Sequence, residues 1–188
     1  MLETRRLRLR RLAPSDEAVL IALDSDEEVM RHIGGRGGAP EEIVARVRER
    51  IAADHGALGW WLIEGKDDGT FHGVAALLRM PEGDDIELAY RLARASWGRG
   101  IATEAATALI GYAITGVGLP RIVAVTFPKN AASQRVLQKL GFVHDGTSDY
   151  KGFRVPHFTL AAGAWLRARC GSGAARRPGR GWARRVRR

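Results

Sequence analysis

Residues 87–105 read ELAYRLARASWGRGIATEA, a strand, a loop and the start of a helix in succession. ELAYRL alternates apolar and polar side chains as a half-buried strand does. IATEAATALIGYAIT (101–115) has the length and composition of a largely buried helix. Between them lie Gly98 and Gly100, which permit backbone conformations closed to other residues. A helix beginning directly after such glycines presents unpaired N–H groups and the positive end of its dipole, a setting suited to a pyrophosphate. Arg94 and Arg99 can add charge-assisted contacts to phosphate. The same residues also fit an ordinary helix start with nothing bound, because short glycine patterns recur by chance.

Two nucleotide-binding readings fail on position. A dinucleotide fold wants its glycines after the first strand of a βαβ unit. Here they follow a later strand, and Glu104 stands where the last glycine belongs. A kinase-type phosphate loop needs a Lys-Ser/Thr pair after its glycines, and none follows.

Upstream, three strand candidates, LGWWLIE (58–64), FHGVAALLRM (71–80) and DIELAYRL (85–92), are separated by the turn compositions KDDGT and PEGDD, which predicts an antiparallel meander. RLRLRRL (6–12) reads as an edge strand with one buried face. Helices are predicted from Pro14 to about Leu23, over 26–33, and over 41–53, where Ile43, Val47 and Ile51 share a face. Downstream come a buried strand (121–127), a helix (130–142) closed by Gly141, and a hairpin of two short strands near 143–149 and 153–161. This order of strands and helices predicts a mixed α/β sheet.

The formal charge of +9 is unevenly placed. Residues 167–188 hold nine arginines and no acid, so the preceding 166 residues, with 21 basic and 21 acidic side chains, are neutral. A neutral body argues against nucleic-acid binding except through that tail, where only Trp182 offers a stacking surface. The division expected is therefore a folded domain over 1–166 and a disordered basic extension over 167–188. No apolar run reaches the roughly 20 residues that cross a bilayer. The lone Cys170 forms no intramolecular disulfide or cysteine metal site, and the cytoplasm is the expected compartment.

WGRGIATEA (97–105), followed after a strand by NAASQRVLQKLGF (130–142), resembles the paired motifs of the GNAT acetyltransferase superfamily. More narrowly it resembles the branch of ribosomal-protein N-terminal acetyltransferases (RimJ/RimL-like), over roughly residues 2–162. The resemblance implies a mostly antiparallel central sheet with helices on both faces, acetyl-CoA as cofactor, and an amine acceptor, either a protein N-terminus or a small molecule. It further implies that backbone amides of Gly98, Arg99, Gly100, Ile101 and Ala102 hold the pyrophosphate. The strand ending at Tyr90, Arg91 and Leu92 would run beside the pantetheine arm. Asn130 and Ser133 would contact the coenzyme near its sulfur, and Arg135 its outer phosphate. Many superfamily members carry a catalytic tyrosine where this chain has Leu137, and Gln or Arg where it has Trp97.

Amine attack on a thioester needs a base, a donor for the carbonyl oxygen and an acid for the thiolate, but no enzyme nucleophile. Glu87, on the strand leading to the glycines, is the candidate base, set against a plain exposed charge. Ser133 is the candidate partner of the leaving sulfur, set against a local helix-start role. His72, His144 and His157 lack metal-ligand spacing and read as structural. Of Trp60 and Trp61, on opposite faces of one strand, one is expected in the core and the other beside the acceptor. Asp149 and Tyr150 fall in the final hairpin, near acceptor sites of the superfamily. Two other readings stay open: a non-catalytic acyl-CoA sensor, and an RNA-associated protein acting through the tail. Monomer and homodimer fit equally.

Overall fold

The computed structural model describes residues 1–32, 38–53, 56–81 and 83–171. Its strands form one sheet: β1 (Leu2–Glu3), β2 (Leu7–Arg11), β3 (Gly59–Gly65), β4 (Phe71–Arg79), β5 (Ile86–Leu92), β6 (Arg121–Val125), β7 (Val143–Tyr150) and β8 (Phe153–Ala161). The order across the sheet is β1-β2-β3-β4-β5-β6-β8-β7. Every neighbouring pair is antiparallel except β5 and β6. The mixed, mostly antiparallel sheet is therefore as expected.

Alternation sets which residues face in. Leu7 and Leu9 of β2 are fully buried while the intervening arginines reach the surface. β2 is not the edge strand the pattern predicts, because β1 pairs outside it through Leu2–Leu9 and Glu3–Arg8. Two residues are too few to show a period. The arginines of β2 do not mark an edge; they reach acids instead, with Arg10 bonded to Glu64 of β3 and by two bonds of 2.8 Å to the buried Asp16. Asp16 also accepts the Ala13 N–H, which fixes the turn after β2.

Helices cover both faces. On one lie α1 (Glu17–Ser25), α2 (Glu27–Met30) and α3 (Pro40–Ala52). Pro40 suits the first helical position and Glu41 and Glu42 favour its dipole. Ile43 and Val47 of α3 pack with Leu20 and Leu23 of α1 onto Val74 of β4. The other face carries α4 (Ile101–Gly111), α5 (Ala131–Lys139) and α6 (Ala162–Gly171). Here Ala105, Leu109 and Ile110 of α4 and Leu137 of α5 meet Leu77, Leu88 and Ile122 of the sheet. Burying each such leucine or isoleucine favours the fold by roughly 1.5–3 kcal/mol. Trp61 joins this core, whereas Trp60 turns to the α1–α3 side.

Some elements differ from their predicted extents. The first helix opens as a 3₁₀ turn over Pro14–Asp16. The final hairpin keeps its expected extent, with β7 and β8 paired from Val143–Thr159 to Tyr150–Phe153. α6 extends through Gly171, so residues 167–171, which composition groups with the tail, continue a helix. The expected extension from 172 onward, and the end of the helix predicted over 26–33, lie outside the described residues.

One glycine controls how closely β4 and β5 approach. Gly73 has φ +138°, and a Cβ there would lie 2.2 Å from the Arg91 carbonyl oxygen. We expect Gly73→Ala to destabilise the protein by about 2 kcal/mol or more through strain and overpacking. Denaturant unfolding measures this, and a change within about 0.5 kcal/mol counts against the crowding.

Candidate active site

β5 and β6 are paired at a single register point, Glu87–Val123. Past it β5 stays bonded to β4 as far as Leu92, while β6 follows β8. The Ala93 N–H donates to the His72 carbonyl, so odd-numbered main-chain groups near the end of β5 face β4. By alternation the N–H groups of Tyr90 and Leu92 point to the opposite edge, where β6 has diverged. The Leu92 carbonyl on that edge accepts the Trp97 indole N–H at 2.9 Å. Arg91, in contrast, directs its main chain to β4 and its side chain to Asp24 and Met30.

A cleft of about 410 Å³ occupies the divergence. β5 divides it. Leu88, Tyr90 and Leu92 face the α4–α5 side, whereas Glu87, Ala89 and Arg91 face the α1–α3 side.

On the first side the glycine loop meets α4. Gly98 and Gly100 adopt φ +70° and +76°, and a Cβ on Gly98 would meet nothing within 4 Å. Gly100 caps α4, leaving the N–H groups of the first turn directed outward. Arg6 holds this loop in place. Its backbone N–H and Nε donate to the Glu104 carboxylate at 2.9 and 2.7 Å, and its Nη1 donates to the Arg99 carbonyl at 3.1 Å. His72, whose pKa is lowered by burial, is 2.9 Å from Ser96 Oγ and steadies the preceding turn. Arg94 pairs with Asp26 at 2.8 Å, which directs its charge to α2 and not to the loop as the sequence suggested.

Asn130 and Ser133 come together with Tyr90. Asn130 caps α5 by accepting the Ser133 N–H at 3.0 Å. Ser133 does not spend its hydroxyl on local backbone: Oγ lies 2.9 Å from the Tyr90 phenol. Burial pushes the Tyr90 pKa up to about 12, so the phenol keeps its proton. Leu137 is buried in the core, and Arg135 is exposed on α5.

On the other side Glu87 is only 5% exposed. Burial raises its pKa to about 7, partly opposed by the Tyr150 hydroxyl, which donates to Oε2 at 3.0 Å. Burial also raises the Tyr150 pKa, so it remains a donor. His144 packs edge-on against Phe158 and His157 pairs with Asp145 at 2.6 Å, both away from Glu87.

The model of the acetyltransferase (GNAT) domain family matches residues 6–143. This chain is a GNAT-family N-acetyltransferase. It is 32% identical over 154 residues to the uncharacterized N-acetyltransferase YoaA of Bacillus subtilis, covering 78% of this chain and 84% of that one. The fold is also that of an Agrobacterium tumefaciens acetyltransferase (TM-score 0.75, 24% identity, 85% of this chain and 92% of that one). A spermidine N-acetyltransferase from Vibrio cholerae, in complex with CoA and spermine, superposes with TM-score 0.72 at 17% identity over 87% of this chain and 99% of that one.

GNAT enzymes use acetyl-CoA, and the residues here fit it. The open edge of β5 offers main-chain partners to an extended arm, and the uncrowded glycines leave room for phosphate beside the α4 amides. Sequence reasoning missed Asp24, Arg50 and the Tyr90–Ser133 contact. They converge from α1, α3, β5 and α5, and no local spacing announces them.

The raised carboxyl also has a thermodynamic signature. Glu87 has a folded pKa of about 7 against 4.5 for an ordinary glutamate. Between those values the folded state binds more protons, so stability falls as pH rises. Above them the cost is of order 3 kcal/mol. We expect Glu87→Gln to stabilise the protein at about pH 8 and to change little at about pH 4. Unfolding at both pH values checks this; a variant less stable than the parent at the higher pH contradicts it.

Proposed function

We propose that this enzyme moves the acetyl group of acetyl-CoA to a primary amine by direct attack in a ternary complex. The observation that carries the reading is the buried Glu87 carboxyl at the divergence of β5 and β6, with a pKa near neutrality and a hydrogen bond from Tyr150. Such a carboxylate takes a proton from an incoming ammonium, directly or through water. The cofactor supplies an acyl group activated as a thioester. The Tyr90 or Leu92 N–H donates to the acyl oxygen, where developing charge is best met by a fixed dipole. The Ser133 hydroxyl, held by the Tyr90 phenol, donates a hydrogen bond that stabilises the departing thiolate. This pair replaces the tyrosine that Leu137 displaces.

Amides of Gly98, Arg99, Gly100, Ile101 and Ala102 cradle the pyrophosphate, Tyr90, Leu92 and the Arg91 segment flank the pantetheine arm, and Asn130 and Arg135 complete the coenzyme site. The acceptor is a protein N-terminus or a small-molecule amine. Leu137 together with the acid at 87 supports the ribosomal-protein branch, and the composition supports the cytoplasm.

Release of free thiol with a panel of amines tests the function; coenzyme binding without release for any amine would identify a sensor instead. We expect Glu87→Gln to lower kcat at least about tenfold while the donor KM changes less than about threefold, since the base is needed for the chemical step. In the parent enzyme kcat/KM rises with pH through about 7 as the Glu87 carboxyl ionises. Tyr150→Phe removes a bond that favours the ionised form, so this limb moves to higher pH; an unmoved limb removes Glu87 from the role. Ser133→Ala is expected to lower kcat, and retained turnover would return Ser133 to the coenzyme site alone.

A further inference from the structure

The acceptor half of the cleft carries an unusual charge balance. Its lining includes Arg50, Arg91 and Lys151 beside the acids Asp24 and Glu87. Asp24 is 1% exposed and is shared by two guanidiniums: Arg50 Nη2 lies 2.7 Å from one oxygen, and Arg91 Nη1 bonds the other. Two positive charges thus meet one negative charge. Both arginine side chains are 10% exposed. Arg50 Nη1 and Arg91 Nε are buried with no hydrogen-bond partner among the described residues. Leaving charged donors unpaired away from water is costly unless a further anion completes them.

Position supplies the second constraint. Glu87 and Arg91 share a face of β5 four residues apart, about 13 Å between Cα atoms at the usual strand rise. Trp60 stands between them in height, through the Trp60–Ala76 and Ala76–Ala89 pairings. The Arg50 guanidinium lies 4.5 Å from its ring centroid. Glu87 and the arginines are thus separated by an apolar wall.

We propose that the acceptor is an anionic amine, whose amino group meets Glu87 and whose carboxylate, several bonds away across an apolar stem, is received by Arg50 and Arg91. This rests on the reading of Glu87 as the base. ω-Amino acids and short acidic peptides have the required form. A polyamine does not, since it would bring positive charge to guanidiniums that a single acid already shares. A carboxylate suits the planar guanidinium fork and supplies a second negative charge to two guanidiniums that share Asp24.

The test uses the full-length enzyme with acetyl-CoA and matched acceptors: ω-amino acids from β-alanine to ε-aminocaproate, their primary amides, and spermidine. We expect kcat/KM to be at least about tenfold higher for the best acid than for its amide, the ratio that a single charge-assisted contact supports. The acid-to-amide ratio should fall toward one in Arg50→Met and be partly kept in Arg50→Lys. Calorimetric titration of the N-acetylated acid and amide in the presence of CoA reads the same preference without turnover and without a variant. Equal binding of those two products, an acid-to-amide ratio near one, or a preference for spermidine overturns the inference while leaving the acetyltransfer reading intact. Tighter binding of the acid product with no thiol release from any amine overturns the acetyltransfer reading and sustains the anion site.

Discussion

The parting of β5 from β6 is the constraint on which the rest of the molecule depends. Two parallel strands that share one register point would ordinarily zip along their length, since each unpaired main-chain group is costly when buried. They separate here without losing support because each keeps a full ladder on its outer side, β5 with β4 and β6 with β8. The close approach at Gly73 holds β4 tightly against the end of β5. A sheet that is continuous at its flanks can thus carry an opening at its centre.

That opening turns the alternation of a strand into a division of labour. Successive residues of β5 address different compartments: Tyr90 reaches α5 and Ser133, while Glu87 and Arg91 reach the side of α1 and α3. The spacing between the two compartments is set by the thickness of one sheet, which is stiffer than any loop. The electrostatics follow from the same geometry. Glu87 sits where the sheet and the β7–β8 hairpin exclude water, so its carboxyl is desolvated, and the Tyr150 hydroxyl offsets only part of that.

Much of this was legible in the chain wherever the determining pattern is local. The meander, the glycine-led start of α4 and the capped start of α5 each follow from residues within a few positions of one another. Glu87 and Ser133 were identifiable as candidates because they lie on those local motifs. The edge position of β1 was not legible, because two residues carry no period, and the arginines of β2 imitated an edge while serving Glu64 and Asp16. Asp24, Arg50 and Trp60 were hidden for a different reason. Their shared location depends on how α1 and α3 pack on β4, and a lone acid or arginine on an amphipathic helix reads as solvated surface until that packing is known. The pairing of Arg94 with Asp26 across 68 positions was unreadable for the same cause.

The contact between Arg6 and the glycine loop has a consequence for how the molecule is made. Arg6 supplies the clamp for Glu104 and the Arg99 carbonyl, which lie more than 90 residues later in the chain. Until α4 has emerged, Arg6 and Thr4 have no carboxylate to meet. Contacts of such long sequence separation form late and slow the search for the native topology. The glycine loop therefore takes its final shape only once the segment before β2 has docked on α4, and substitutions at Thr4 or Arg6 reach it directly.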